Sequence, residues 1–167
     1  IFCEIFFKSL RKYKFKTPLI LIGSKKILME QMNKFNYKKK IILLKLNDLN
    51  ELKIDNRSIN LIDIKNDKKD YLYLKNCFDI SFKILRSGFS NKLLNGPITK
   101  TIFLKKKYLG ITEYIANNFK SKKFAMLIYN QDLSVCPLTT HLPLKLVPKY
   151  INKNSIKEKV KLIDYFY

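Results

Sequence analysis

A single imidazole stands in this chain, at His141, inside the run Ser-Val-Cys-Pro-Leu-Thr-Thr-His-Leu-Pro-Leu at 134–144. Imidazole is the side chain best suited to hold a transition metal or carry a proton near neutral pH. The small and apolar residues at 135–138 read as a strand, Thr139 and Thr140 as its end, and Pro143 as the start of a stiff turn. In open α/β sheets, ligands gather in the crevice beyond the carboxyl ends of the strands, and that order would lift His141 into it. One histidine without neighbouring ligands does not close a metal site by itself.

Two further loops carry residues of the right type. Asn-Gly-Pro-Ile-Thr-Lys at 95–100 offers a glycine that lets a ligand approach the backbone, a proline suited to the first turn of a helix, and Lys100 as a point charge for phosphate or carboxylate. From these residues alone, an ordinary strand-to-helix turn with a solvated lysine accounts for the pattern. Gly-Ile-Thr-Glu-Tyr at 110–114 places Thr112 where it could cap a helix, or offer its hydroxyl beside the helix amides to a phosphate. The two roles are compatible.

The elements that must position these loops come from periodicity. Ile1, Phe2, Ile5, Phe6, Leu10 and Tyr13 recur at helical spacing up to about Lys14. Pro18 ends that helix, and a short strand at 19–22 closes on Gly23. Ser24 can cap a second helix that gathers Ile27, Leu28, Gln31, Met32 and Phe35 on one face. Strands are expected at 41–44 and 59–64, the latter inside a polar, turn-rich stretch from Asn47 to Lys69. A helix from Asp70 aligns Tyr71, Leu74, Cys77, Phe78, Phe82 and Leu85, an aromatic stripe that reads as core packing. Beyond it, 92–95 reads as a strand, Tyr114 and Ile115 as the opening of a helix, and 124–129 as a buried strand. The final helix starts at Asn154 or Ser155, with Ser155 and Glu158 at capping-box spacing and Ile156, Val160, Ile163 and Tyr167 on one side. Strands alternating with helices imply a largely parallel sheet covered on both faces.

The 167 residues suffice for one ordinary domain, and a hydrophobic share of 47% excludes a disordered tail despite the net charge of +21. That charge could suggest nucleic acid, yet the only arginines are Arg11, Arg57 and Arg86, and the lysines are spread over every surface segment. We read it as a bias toward Lys, Ile and Asn, and expect no specific nucleic-acid partner. Cys3, Cys77 and Cys136 form an odd, unspaced set in apolar surroundings, which argues for buried thiols in a reducing compartment. No apolar run approaches a membrane span, and Glu4 interrupts the first apolar stretch, so the expected location is the cytoplasm, away from membranes. Ile1 and Tyr167 look like cut ends, and a break inside the last helix would leave its apolar face unpartnered. A fragment of a longer protein is expected, from incomplete sequencing rather than biology.

Taken in order, Leu-Asn-Gly-Pro-Ile-Thr-Lys at 94–100, Gly-Ile-Thr-Glu-Tyr at 110–114 and Thr-Thr-His-Leu-Pro-Leu at 139–144 resemble the 4-hydroxythreonine-4-phosphate dehydrogenase family of vitamin B6 biosynthesis. Ile-Phe-Cys-Glu at 1–4 is similar to the tail of that family's glycine-rich opening motif. The likeness runs over the whole chain, and the Thr-Thr-His-Leu-Pro-Leu run is its most specific part. The resemblance implies an α/β fold of the isocitrate/isopropylmalate dehydrogenase type, a three-layer, largely parallel sheet with helices on both faces. Residues 1–167 would form one α/β region equivalent to the family's N-terminal half.

The activity implied is oxidation of 4-phosphohydroxy-L-threonine to a 3-oxo acid, which decarboxylates to 3-amino-2-oxopropyl phosphate. NAD would take the hydride, and a divalent metal (zinc, magnesium or cobalt) would act as Lewis acid. By the same resemblance His141 is the first of three metal-binding histidines, the others lying in the later half, one of them across a homodimer interface. Thr112 would contact the substrate near its phosphate, Lys100 would join it, and no residue here is assigned to NAD. One position departs from the pattern. Ile111 stands where the family carries a substrate-contacting histidine, which keeps open a paralogue acting on another phosphorylated hydroxy acid. A non-catalytic basic α/β binding domain is the reading from a different class. With one histidine the metal site does not close, and the chain alone is expected to be inactive.

Overall fold

The computed structural model describes residues 2–49, 54–66, 70–99, 103–104, 107–108 and 110–167. They fall into two compact units, Ile1–Phe103 and Leu104–Tyr167.

The first unit is built on a three-stranded parallel sheet. Its strands are β1 (Ile20–Gly23), β2 (Ile41–Leu43) and β3 (Ile59–Asp63), in the spatial order β1-β3-β2. β3 pairs with both neighbours, Leu21 with Leu61 on one side and Ile42 with Asn60 on the other. Side chains alternate across a strand, so β3 serves two cores at once. Ile59 and Leu61 meet Phe7, Leu28, Met32 and Tyr37 from α1 (Phe2–Lys12), α2 (Lys25–Lys34) and the turn after α2. Ile62 faces the other way, into Leu44, Leu49 and Ile84, the last from α3 (Asp70–Arg86). Helices therefore cover both faces, and the expected three-layer α/β arrangement is observed.

Local chemistry explains the element ends. α1 carries Glu4 in its first turn and Arg11 and Lys12 in its last, matching the helix dipole, and Lys8 bonds Glu4 at 2.7 Å one turn away. Ser24 caps α2, its Oγ accepting from the Ile27 amide. Past the end of α2, Asn36 adopts φ 45°, and the Tyr37 amide donates to the Met32 carbonyl at 2.8 Å, a Schellman closure. Arg11 donates to the Asn36 carbonyl at 3.0 Å and lies over the Tyr37 ring, tying α1 to that end. The buried Asn60 satisfies its amide on the Leu19 and Asp55 carbonyls, at 3.1 and 2.6 Å.

Several expectations need correction. Residues 92–95 form no strand; they run without a ladder partner, and Leu94 is 81% exposed. On α3 the buried side chains include Phe78, Phe82 and Ile84, so Ile84 takes the place expected for Leu85 by turning toward the sheet's second core. The three thiols are free but only partly buried.

The second unit contains α4 (Ile111–Asn118), a 3-10 turn at Leu144–Leu146, α5 (Val147–Tyr150) and α6 (Lys153–Phe166). The buried strand expected at 124–129 is absent: Ile128 makes one antiparallel bridge, to Val135, and Phe124, Met126, Ile128 and Tyr129 are all exposed. The contacts this segment does make run to α6, whose Lys159 lies over the Phe124 ring, and to Tyr167, whose ring meets that of Tyr129, and they leave those four side chains exposed. α6 starts a residue or two earlier than expected. Asn152 is its N-cap, and Ser155 closes the capping box from the third helical position instead of opening it. Among the described residues, no helix is long and apolar enough to cross a membrane.

Candidate functional site

His141 is exposed and sits on a bend at φ 55°, the left-handed region that a β-carbon disfavours by about 1–2 kcal/mol. A short turn follows it. Pro143 caps the 3-10 turn at Leu144–Leu146, the Leu146 amide donates to the Pro143 carbonyl at 2.8 Å, and Pro148 enters the first turn of α5. The outward presentation of the imidazole expected from the proline agrees with this geometry. The preceding segment differs from expectation. Only Val135 bridges, so His141 comes after an irregular stretch and not at the end of a parallel-sheet strand.

Ile111 and Thr112 open α4 and are half-buried. The cap is Gly110, not Thr112, and it brings no side-chain acceptor. Thr112 is thus the second residue of the first turn, and the N-cap position bonds none of the amides there through a side chain. Glu113 brings a charge close by: its Oε2 would lie 2.8 Å from a β-carbon at Gly110, so the carboxylate folds back over the positive end of the helix. Lys100 lies outside the described residues. In the same loop Gly96 has a different reason from the ligand approach expected: a β-carbon there would meet the Phe2 ring at 2.4 Å, so the glycine makes room for α1.

No hydrogen bond or ion pair joins His141 to Thr112 or Ile111. Among the described residues no group of three His, Cys, Asp or Glu side chains gathers where a metal could be held. An exposed imidazole on a fixed turn fits as one ligand of a divalent cation, and the described residues do not complete the set.

A second polar region, not anticipated from the sequence, lies at the carboxyl ends of β1 and β3. A hollow of about 480 Å³ is lined by Asp63, Lys65, Tyr73, Asn76, Asp79 and Lys83, among others; a second of about 300 Å³ runs from Asp63 and Lys65 past Ser24, Lys26 and Glu30. Asp63 is already engaged, its Oδ1 accepting from the Lys25 amide at 2.7 Å. Tyr73 takes the neighbouring amide, Ser24, at 3.0 Å, and its hydroxyl would stand 3.1 Å from a β-carbon on Gly23. Burial pushes the Tyr73 phenol up to about 12 and the Cys77 thiol up to about 11, so both stay protonated across the physiological range. At the α2 end of these hollows the Ser24 and Lys25 amides are thus taken by the protein's own side chains.

The family model described as Pyridoxal phosphate biosynthetic protein PdxA matches residues 14–166. This chain belongs to that family. The 4-hydroxythreonine-4-phosphate dehydrogenase of Aquifex aeolicus (strain VF5) is 34% identical over 175 residues, covering 96% of this chain and 52% of the relative. The enzyme of the same name from Sulfurihydrogenibium sp. (strain YO3AOP1) is 31% identical over 174 residues, with the same coverage. The crystal structure of 4-hydroxythreonine-4-phosphate dehydrogenase from Klebsiella pneumoniae superposes with a TM-score of 0.77 at 21% identity, covering 99% of this chain and 54% of that one, which shows a shared fold. The chain spans about half the length of the PdxA-family relatives it matches.

Proposed function

We propose that this chain carries one half of an NAD- and divalent-metal-dependent dehydrogenase acting on 4-phosphohydroxy-L-threonine. The observation that carries the reading is the family match across 14–166, together with an outward imidazole at His141 on a turn locked by Pro143 and Pro148. In the reaction the secondary alcohol gives up a hydride to NAD⁺ and its hydroxyl proton to solvent or base. The resulting 3-oxo acid then loses carbon dioxide to give 3-amino-2-oxopropyl phosphate. His141 would be one ligand of the metal, whose chemistry when bound is to polarise the alcohol oxygen. Thr112, in the first turn of α4, would offer its hydroxyl and the adjacent amides to the substrate phosphate once the Glu113 carboxylate swings aside, and Lys100 would add positive charge. NAD, the other metal ligands and a homodimer partner belong, in this reading, to what the longer relatives possess and this chain does not match. We place the activity in the cytoplasm.

A chimera tests the proposal: residues 1–167 joined to the unmatched half of the Aquifex aeolicus relative, assayed for NADH formation from 4-phosphohydroxy-L-threonine with and without chelator. Metal-dependent turnover is expected; a folded chimera without it rejects the reading. Ile111 supports a second reading, a paralogue for another phosphorylated hydroxy acid, which requires turnover of such a substrate and a gain for the threonine substrate in Ile111→His.

A further inference from the structure

The two units differ sharply in how they treat apolar side chains. Both hydrophobic clusters lie in the first unit, where Phe7, Phe82, Ile59 and Leu61 are essentially inaccessible. In the second unit, among the described residues, Leu104 and Ala116 are the only buried apolar side chains. Most of its large ones are exposed instead, and the rest are half-buried. The stripe on α6 that should be an inner face is open over its first turns, Ile156 at 47% and Val160 at 57%, while Ile163 is half-buried, and no residue of the helix is fully buried. The Ile128–Val135 bridge leaves Leu133 and Val135 exposed, and Tyr129, whose ring meets that of Tyr167, is still 61% exposed. A surface this apolar marks an interface.

The occupant is indicated by length and charge. The family's longer members carry about as much chain again as is matched here. The segment from Leu104 to Tyr167 holds twelve lysines against four carboxylates, α6 itself carrying Lys153, Lys157, Lys159 and Lys161, and among the segment's described residues only Glu158 pairs with one of them, Lys123 at 3.6 Å. We infer that α6 and the 128–135 turn form a docking face for a polypeptide equivalent to the unmatched half of the relatives, apolar at its centre and acidic at its rim. This rests on family membership and not on the dehydrogenase reading. The second unit takes its core from that polypeptide, so the two pieces assemble even when they are separate chains.

Hydrogen exchange tests it without reference to activity. The 167-residue chain is measured alone, and again with a separately produced polypeptide spanning the unmatched half of the Aquifex aeolicus relative. The same peptides are followed in the covalent chimera, in case the separate half does not fold. Alone, amides at 124–135 and 153–166 should exchange within seconds while β3 stays protected. With the partner or in the chimera, they should slow by at least about a hundredfold, and Val160→Asp should abolish the slowing in trans while leaving β3 unchanged. Raised salt should weaken the association in trans, as a basic rim requires. The inference is overturned if those peptides are already protected in the chain alone, as a second copy seated on the face would make them. It is equally overturned if they stay unprotected in a chimera whose other half is cooperatively folded.

Discussion

The carboxylate of Asp63 is the most informative single group to remove from the first unit, because it joins two elements 38 residues apart. It sits at the end of β3, is exposed, and accepts the Lys25 amide at 2.7 Å, the first amide of α2. The local cap from Ser24 Oγ is longer, 3.4 Å to the Ile27 amide, so Asp63 is the stronger of the two acceptors at this helix end. Loss of a cap costs about 0.5–2 kcal/mol, and loss of a negative charge at a helix start about 0.3–1 kcal/mol at an exposed site. Asp63→Ala should therefore destabilise the first unit by about 1–2 kcal/mol. Asp63→Asn, which keeps an acceptor oxygen but no charge, should cost about half as much. Urea unfolding followed by far-ultraviolet circular dichroism measures both, with the m-value unchanged. Salt should narrow the gap between wild type and Asp63→Asn, since only the charge contribution is screened. The reasoning is refuted if Asp63→Ala is neutral, or if the alanine and asparagine variants lose the same amount.

Three further outcomes are expected of the same unit. Leu61→Ala, at the fully buried centre of β3, should cost about 2–5 kcal/mol in the same unfolding assay. Gly96→Ala should displace the Phe2 ring, which a β-carbon would meet at 2.4 Å, and lower the melting temperature through the overpacking penalty of about 1–3 kcal/mol. Cys77 and Tyr73 have folded pKa values raised above their ordinary 9.0 and 10.0, to about 11 and about 12. The folded state holds these protons more tightly, so the associated stability is complete below pH 9 and is lost as pH rises through about 11–12. The double variant Tyr73→Phe, Cys77→Ala should flatten that alkaline loss, and at about pH 8 Cys77 should react with a thiol reagent more slowly than an unfolded-chain cysteine.

How far the sequence can be read depends on whether an element's partners are within it. α1, α2, β1 and β2 lie close to their expected bounds because apolar spacing, Pro18, Ser24 and Gly23 are local signals. The strand at β3 is expected, but its place at the centre of the sheet is not, since Asn60 and Asp63 give it a polar look that only the Leu19, Asp55 and Lys25 contacts explain. Residues 92–95 and 124–129 carry strand-like composition without a strand beside them, and composition does not report a missing neighbour. The start of α4 departs from expectation because Thr112 is a good cap by type, while Gly110 holds the extended backbone one position before the helix. Of the candidate site, His141, Thr112 and Ile111 are legible as residues. The crevice at Asp63 and Tyr73 is not, because a tyrosine beside the stripe of its helix gives no hint that its hydroxyl reaches another loop's amide.

The proposed role of His141 as a metal ligand is decided by equilibrium dialysis of zinc or cobalt against the chimera and its His141→Ala variant. The expected result is one metal per chain in the parent and an affinity at least about tenfold weaker in the variant, with the first unit's unfolding unchanged. Equal affinity in the two proteins would contradict it.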